Sequence, residues 1–149
     1  MSNQSKRAEG AAEEIGGKIK AVYCHWDGYP EGVGNTLQLH YNRSKTKQLL
    51  VRGDISTLAS DIGTKHDFDA RDCGTTFYGR DRGDKGINAE FFDTAEHFTE
   101  HYSFSEYFYL LTEDGTWLVN DGRDKWERLS ALLEAEDEEE DIFLEAGGK

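Results

Sequence analysis

His97-Phe98-Thr99-Glu100-His101 sets two imidazoles one helical turn apart with a carboxylate beside the second. The order matches the inverted zinc-peptidase pattern His-x-x-Glu-His, in which the histidines hold Zn²⁺ and the glutamate activates water. Five residues match such a pattern easily by chance, and the chemistry also needs a further carboxylate ligand on a second helix and a large substrate cleft. A chain of 149 residues leaves little room for both. Glu96, Glu100 and Asp93 around the pair describe a solvated helix face instead, so neither a bound metal nor catalysis is expected there.

Three other constellations invite the same comparison. Gly28 to Gly34 lies between a strand and a helix, where backbone N–H groups can cradle phosphate. Asn35 and Thr36 stand where a nucleotide-binding loop places Lys and Ser or Thr, and Asp27 and Glu31 repel phosphate, which leaves a tight turn fixed by Pro30 and glycines. A thiol nucleophile requires Cys24 or Cys73 beside His25, His40 or His66. Cys24 alternates with Val22 and Trp26 as a core residue does, and Asp72-Cys73-Gly74 reads as a turn. His66-Asp67-Phe68-Asp69 with Asp72 offers oxygen ligands to a hard cation but lacks the spacing and terminal Glu of a calcium loop. No cofactor and no enzymatic activity are expected.

Carboxylates dominate the C-terminal segment, where eight of the twelve residues from Glu134 to Glu145 are acidic. The formal charge of -13 divides into +1 over residues 1–20, -7 over 21–133 and -7 over 134–149, so the body is acidic as well as the tail. If the run is helical, eight charges fall along ~18 Å, one per ~2.2 Å, close to the ~1.7 Å per charge of duplex DNA. Solvated acidic tails are common, but Ile142, Phe143 and Leu144 have no solubilising role and suit a docking contact.

The elements that must position these groups follow from periodicity. Ser5 to Gly17 is rich in Ala and Glu with one large apolar residue, so residues 1–17 are predicted to form a mobile N-terminal arm. Lys18 to Trp26 is apolar on both faces of a period-two pattern, as an interior strand is. Asn35 with Gln38 resembles an N-cap pair opening a helix through Leu37 and Tyr41, and Ser44 is placed to cap a second helix that Gly53 stops. Between Asp54 and Gly86 only Thr75 to Tyr78 reads as a strand. Thr94 or Asp93 caps a helix that buries Ala95, Phe98 and Tyr102. Glu106 to Thr112 and Thr116 to Asn120 form a hairpin about Asp114-Gly115. Asp124 with Glu127 is a further capping pair, opening a helix with Trp126, Leu129 and Leu133 on its apolar stripe. The fold class is α+β: one small domain over residues 18–133 with a mostly antiparallel sheet and flanking helices, followed by an acidic helix or tail over 134–149. No stretch nears the ~20 apolar residues of a membrane helix and no secretory signal opens the chain, which points to a cytoplasmic protein with Cys24 and Cys73 as thiols.

Tyr23-Cys24-His25-Trp26-Asp27-Gly28-Tyr29-Pro30-Glu31-Gly32-Val33-Gly34 resembles a family of small, largely uncharacterised bacteriophage and prophage proteins. The likeness continues through Gly53 to Leu58, Tyr78 to Gly83 and the Tyr107 to Trp117 hairpin, covering roughly residues 21–120. It implies a phage-encoded protein at work in the host cytoplasm and carries over no catalytic residue. With the charge pattern, the expectation is a DNA mimic that inhibits a host nucleic-acid-binding protein, such as a topoisomerase, polymerase, restriction or CRISPR complex, through its basic groove. The expected contacts are Glu134, Glu136, Asp137, Glu138, Glu139, Glu140, Asp141 and Phe143. Neither nucleic acid nor membrane is an expected direct partner, and a homodimer is left open. The first alternative is an adaptor binding proteins through an aromatic surface around Trp26, Tyr29 and Trp117. The second is a small metal-dependent enzyme using His97 and His101.

Overall fold

The computed structural model describes residues 9–25, 29–69, 74–86, 88–102, 105–121 and 125–135. Among the described residues an eight-stranded mixed sheet, mostly antiparallel, forms the centre, and helices cover both of its faces. The first strand, β1 (Glu9–Ile15), turns through Gly16 and Gly17 into β2 (Lys18–Cys24). Both turn glycines have positive φ, 57° and 83°, the backbone that a two-residue hairpin loop requires. The hairpin is in full register from Ile15 opposite Lys18 to Glu9 opposite Cys24.

After β2, a π-helical turn (Pro30–Gly34) runs directly into α1 (Asn35–His40), and α2 (Arg43–Leu50) follows. Asn35 therefore lies inside the helical turns rather than capping them. The cap of α2 is Asn42, whose side chain accepts the Lys45 N–H at 2.8 Å, and Ser44 lies within the helix. This helical pair forms the crossover that lets β3 (Ile55–Thr57) run parallel to β2. Next come β4 (Thr76–Phe77), β5 (Glu90–Phe92), α3 (Ala95–His101), β6 (Tyr107–Leu111), β7 (Trp117–Asn120) and β8 (Trp126–Arg128). The strand order is β4-β3-β2-β1-β6-β7-β8, with β5 also paired to β2. Residues 129–135 form the helix α4.

Residues 9–15 correct the expectation of an N-terminal arm. They form the strand between β2 and β6, pairing antiparallel with the first and parallel with the second. Ala and Gly leave almost no hydrophobic pattern, but their small size lets large side chains close over the strand from both sides. The ring of Phe98 lies so near Gly10 that a Cβ there would stand 2.7 Å from it. The last helix is corrected too: Trp126 to Arg128 pair with β7 as a strand, so α4 starts at Leu129. Asp124 lies outside the described residues.

Period-two alternation divides the sheet between two cores. Ala11, Val22, Cys24, Tyr109, Leu111, Trp117 and Val119 face the layer built from Leu37, Tyr41, Leu49, Leu50 and Leu129. On the opposite face Ala12, Ile19, Ala21, Phe108 and Leu110 meet Phe98 from α3 and Tyr102 just after it. Trp117 is buried, and its indole N–H donates to the Tyr41 carbonyl at 2.9 Å. Phe98 stands edge-on to both Tyr102 and Phe108, with centroids 5.8 and 5.6 Å away, a geometry aromatic pairs favour.

Candidate functional site

The acidic run begins in α4, at Glu134. Leu129 is fully buried, and Leu132 and Leu133 pack on the same core, so this stripe fixes which side of the helix faces the sheet. Glu134 is left exposed on the last described turn. Glu136, Asp137, Glu138, Glu139, Glu140, Asp141 and Phe143 lie outside the described residues, so of the eight expected contacts the structure places Glu134 alone.

The solvated helix face expected of Asp93, Glu96 and Glu100 lies where β5 meets α3, and β5 adds Glu90 to it, which the sequence did not indicate. Thr94 caps α3 by accepting the His97 N–H at 3.1 Å, and Phe98 and Tyr102 anchor the helix to the sheet. Asp93, Glu96, His97, Glu100 and His101 are thereby exposed. Phe91, Phe92, Asp93, His97, Glu100 and His101 line an open depression of about 450 Å³. Phe91 is 62% exposed, with the Lys20 ammonium 5.8 Å from its ring centroid. The missed signal was Glu90-Phe91-Phe92, whose three residues pair with Ile19 to Ala21 of β2.

His101 Nε2 lies 3.0 Å from Glu90 Oε2, and its ring sits against Phe92 and Tyr102. Among the described residues no group of three or more His, Cys, Asp or Glu side chains could hold a metal ion.

Cys24 and His25 are separated by the alternation of β2. Cys24 lies in the core beneath α1 and α2, whereas His25 Nδ1 meets the Tyr23 hydroxyl at 2.6 Å, and Tyr23 packs on the α3 core. Cys73 lies outside the described residues. The turn at Pro30 to Gly34 spends its backbone internally, since Gly32 N–H donates to Tyr29 and Asn35 N–H to Pro30 and Gly32. The His66 ring lies against Asp81, at 3.5 Å, and Thr76, at 3.3 Å. Burial opposes the charge of Asp81, but hydrogen bonds from Arg80 and from the Phe77 and His66 N–H groups prevail and hold its carboxyl below the usual range. Arg80 also donates to the carbonyls of Ile62, Gly63 and Thr75, so this network organises the segment between β3 and β4.

The partly buried Asp54 and Tyr23 form a smaller polar cluster. Burial pushes Asp54 up, against the Tyr23 N–H that donates to it at 3.0 Å, and the nearby Glu90 pushes in the same direction as burial. Burial likewise pushes the Tyr23 hydroxyl up to about 12.

Comparison with family models, curated proteins and solved structures finds no match to this chain. Among the described residues no helix is long and apolar enough to cross a membrane. Of the aromatic surface in the adaptor alternative, Trp117 is removed by burial, Tyr29 is half-buried, and Trp26 lies outside the described residues.

Proposed function

We propose that this chain is a non-catalytic, phage-encoded inhibitor that presents carboxylates in place of nucleic-acid phosphates to the basic groove of a host protein. The observation that carries the reading is α4. Its apolar stripe is committed to the core, Glu134 is exposed on its last described turn, and seven further carboxylates follow by Glu145. A folded domain thus holds the start of a dense anionic run at a fixed place on its surface. Glu90, Asp93, Glu96 and Glu100 add a second acidic surface for the same basic target. Phe143 serves as an apolar anchor. The host cytoplasm is the compartment in which such a target is met.

Competition with DNA tests the reading. The protein is expected to displace duplex DNA from a host DNA-binding protein while binding no DNA itself. The variant Glu136→Gln, Asp137→Asn, Glu139→Gln, Glu140→Gln, Asp141→Asn removes five charges at nearly constant size. It is expected to lose at least tenfold in affinity with an unchanged circular dichroism spectrum, because ionic contacts drive association with basic grooves. A ternary complex in which the target still holds its DNA overturns mimicry.

A further inference from the structure

The charge of the domain is unevenly placed. Residues 32–53 contain no carboxylate and carry Arg43, Lys45, Lys47 and Arg52, in a chain whose net charge is -13. This stretch forms α1, α2 and the turn after them. Leu37, Leu49 and Leu50 are buried beneath it, and Ser44, Lys47, Gln48 and Val51 are exposed. A groove of about 660 Å³ runs along α2, with Ser44, Lys45, Gln48 and Arg52 on one side and residues 61–64 on the other. Its charged groups are only partly committed. Lys45 Nζ bonds to the Ser60 carbonyl and lies 3.7 Å from Asp61, the one carboxylate lining the groove among the described residues, while Arg52 bonds to the Gln48 carbonyl. Lys47 is shared with buried Glu13 at 3.5 Å and remains about half exposed.

The same stretch of chain displays apolar groups. Among the described residues three large hydrophobic side chains are strongly exposed, and two of them, Leu39 at 67% and Val51 at 66%, belong to this stretch. Cations together with apolar side chains are the complement of Glu136 to Leu144, where six carboxylates precede Ile142, Phe143 and Leu144. The segment also starts in the right layer: α4, from which it continues, covers the same sheet face as α1 and α2, and Leu129 lies against the start of α1 at Gly34. Reach is not limiting. Fourteen residues span up to about 45 Å when extended, and the radius of gyration of a chain this size is roughly 15 Å.

We propose that the acidic segment 136–145 docks on the outer face of α2 of its own chain, acting as a latch that a more basic target must displace. This rests on the proposed function, since it says how that anionic run is held before its target arrives. A short tether gives an effective concentration in the millimolar range, so a contact too weak to detect between separate molecules still occupies the groove much of the time. The latch would screen out weakly basic surfaces, because only a groove with more cationic contacts than α2 offers can win the segment.

The test uses the full chain. Backbone amide resonances of Ser44 to Arg52 are compared between the native protein and the five-carboxylate variant above, at about 20 mM salt and then at about 500 mM, where ion pairs are screened. The two proteins are expected to differ in α2 at low salt and to converge at high salt. Gln48→Glu with Arg52→Glu, which leaves the contacts of Lys45, Lys47 and Arg43 in place, is expected to abolish the difference and to raise affinity for the basic target two- to tenfold. Identical α2 spectra at low salt overturn the latch. So does a difference that vanishes on tenfold dilution of the protein, which assigns the contact to a second copy. None of the spectra involves the target, so mimicry and the latch fail separately: one by retained DNA in a ternary complex, the other by an unperturbed α2.

Discussion

Glu13 is fully buried on β1, and its charge is balanced by two cations from α2, Lys47 at 3.5 Å and Arg43 at 3.7 Å. Arg43 also donates to the carbonyls of Glu14 and Thr112, which ties the helix to β1 and to the turn between β6 and β7. Removing one partner of a buried pair costs more than the pair contributes, because the remaining charge stays desolvated. Arg43→Met is therefore expected to cost about 2–4 kcal/mol in a denaturant titration. The double variant Glu13→Leu, Arg43→Met should recover part of that loss; equal losses would mean that the carbonyl contacts, not Glu13, are what Arg43 serves. Asp54 behaves in the opposite sense. Its carboxyl is held above its ordinary value, chiefly by burial, so the native fold penalises its charged form and the penalty fades as pH falls into the carboxylate range. Asp54→Asn keeps an acceptor for the Tyr23 N–H. It is expected to melt higher than the native protein at neutral pH and to lose that advantage in acid, as thermal melts across pH would record.

At the scale of the element, β1 shows what periodicity misses. Gly10, Ala11 and Ala12 present almost no apolar contrast, and only Ile15 is large, so the segment reads as polar. Its burial is imposed by its neighbours: β2 and β6 on either edge, the Phe98 ring over one face and α2 over the other. Gly10→Ala separates the two readings. A Cβ would lie 2.7 and 2.9 Å from ring atoms of Phe98, which is itself wedged between Tyr102 and Phe108, so the ring has little room to yield. The cost is expected to be about 1–3 kcal/mol by chemical denaturation, and Phe98→Leu in the same chain should relieve part of it. A flexible arm would instead tolerate Gly10→Ala without loss. Where large residues carry the pattern, sequence sufficed: β2, the β6–β7 hairpin with Gly115 at φ 89°, and α3 with its Thr94 cap are all legible from it. Short strands such as β3 and β5 were not, because three residues cannot display a period. Of the acidic surface at β5 and α3, Asp93, Glu96 and Glu100 were legible as a solvated helix face, and the part that Glu90-Phe91-Phe92 adds by pairing with β2 was hidden for the same reason.

For the whole molecule, the proposed function has the same charges act on folding and on recognition with opposite signs under salt. A net charge of -13 repels itself more strongly in the compact chain than in the expanded one, and added salt screens that repulsion. Raising NaCl from about 20 to 200 mM, which shortens the screening length to roughly 7 Å, is therefore expected to raise the melting temperature. Binding to a basic target draws on attraction across the interface and is expected to weaken at least tenfold over the same range. Removing the five charges between Glu136 and Asp141 should flatten both trends together, because it subtracts five of the thirteen net charges. If target affinity stays flat with salt while the melting temperature rises, the carboxylates govern only the chain's own repulsion. Recognition then belongs to apolar contacts such as the exposed Phe91, and Phe91→Ser, not the charge variant, would be the substitution that abolishes binding.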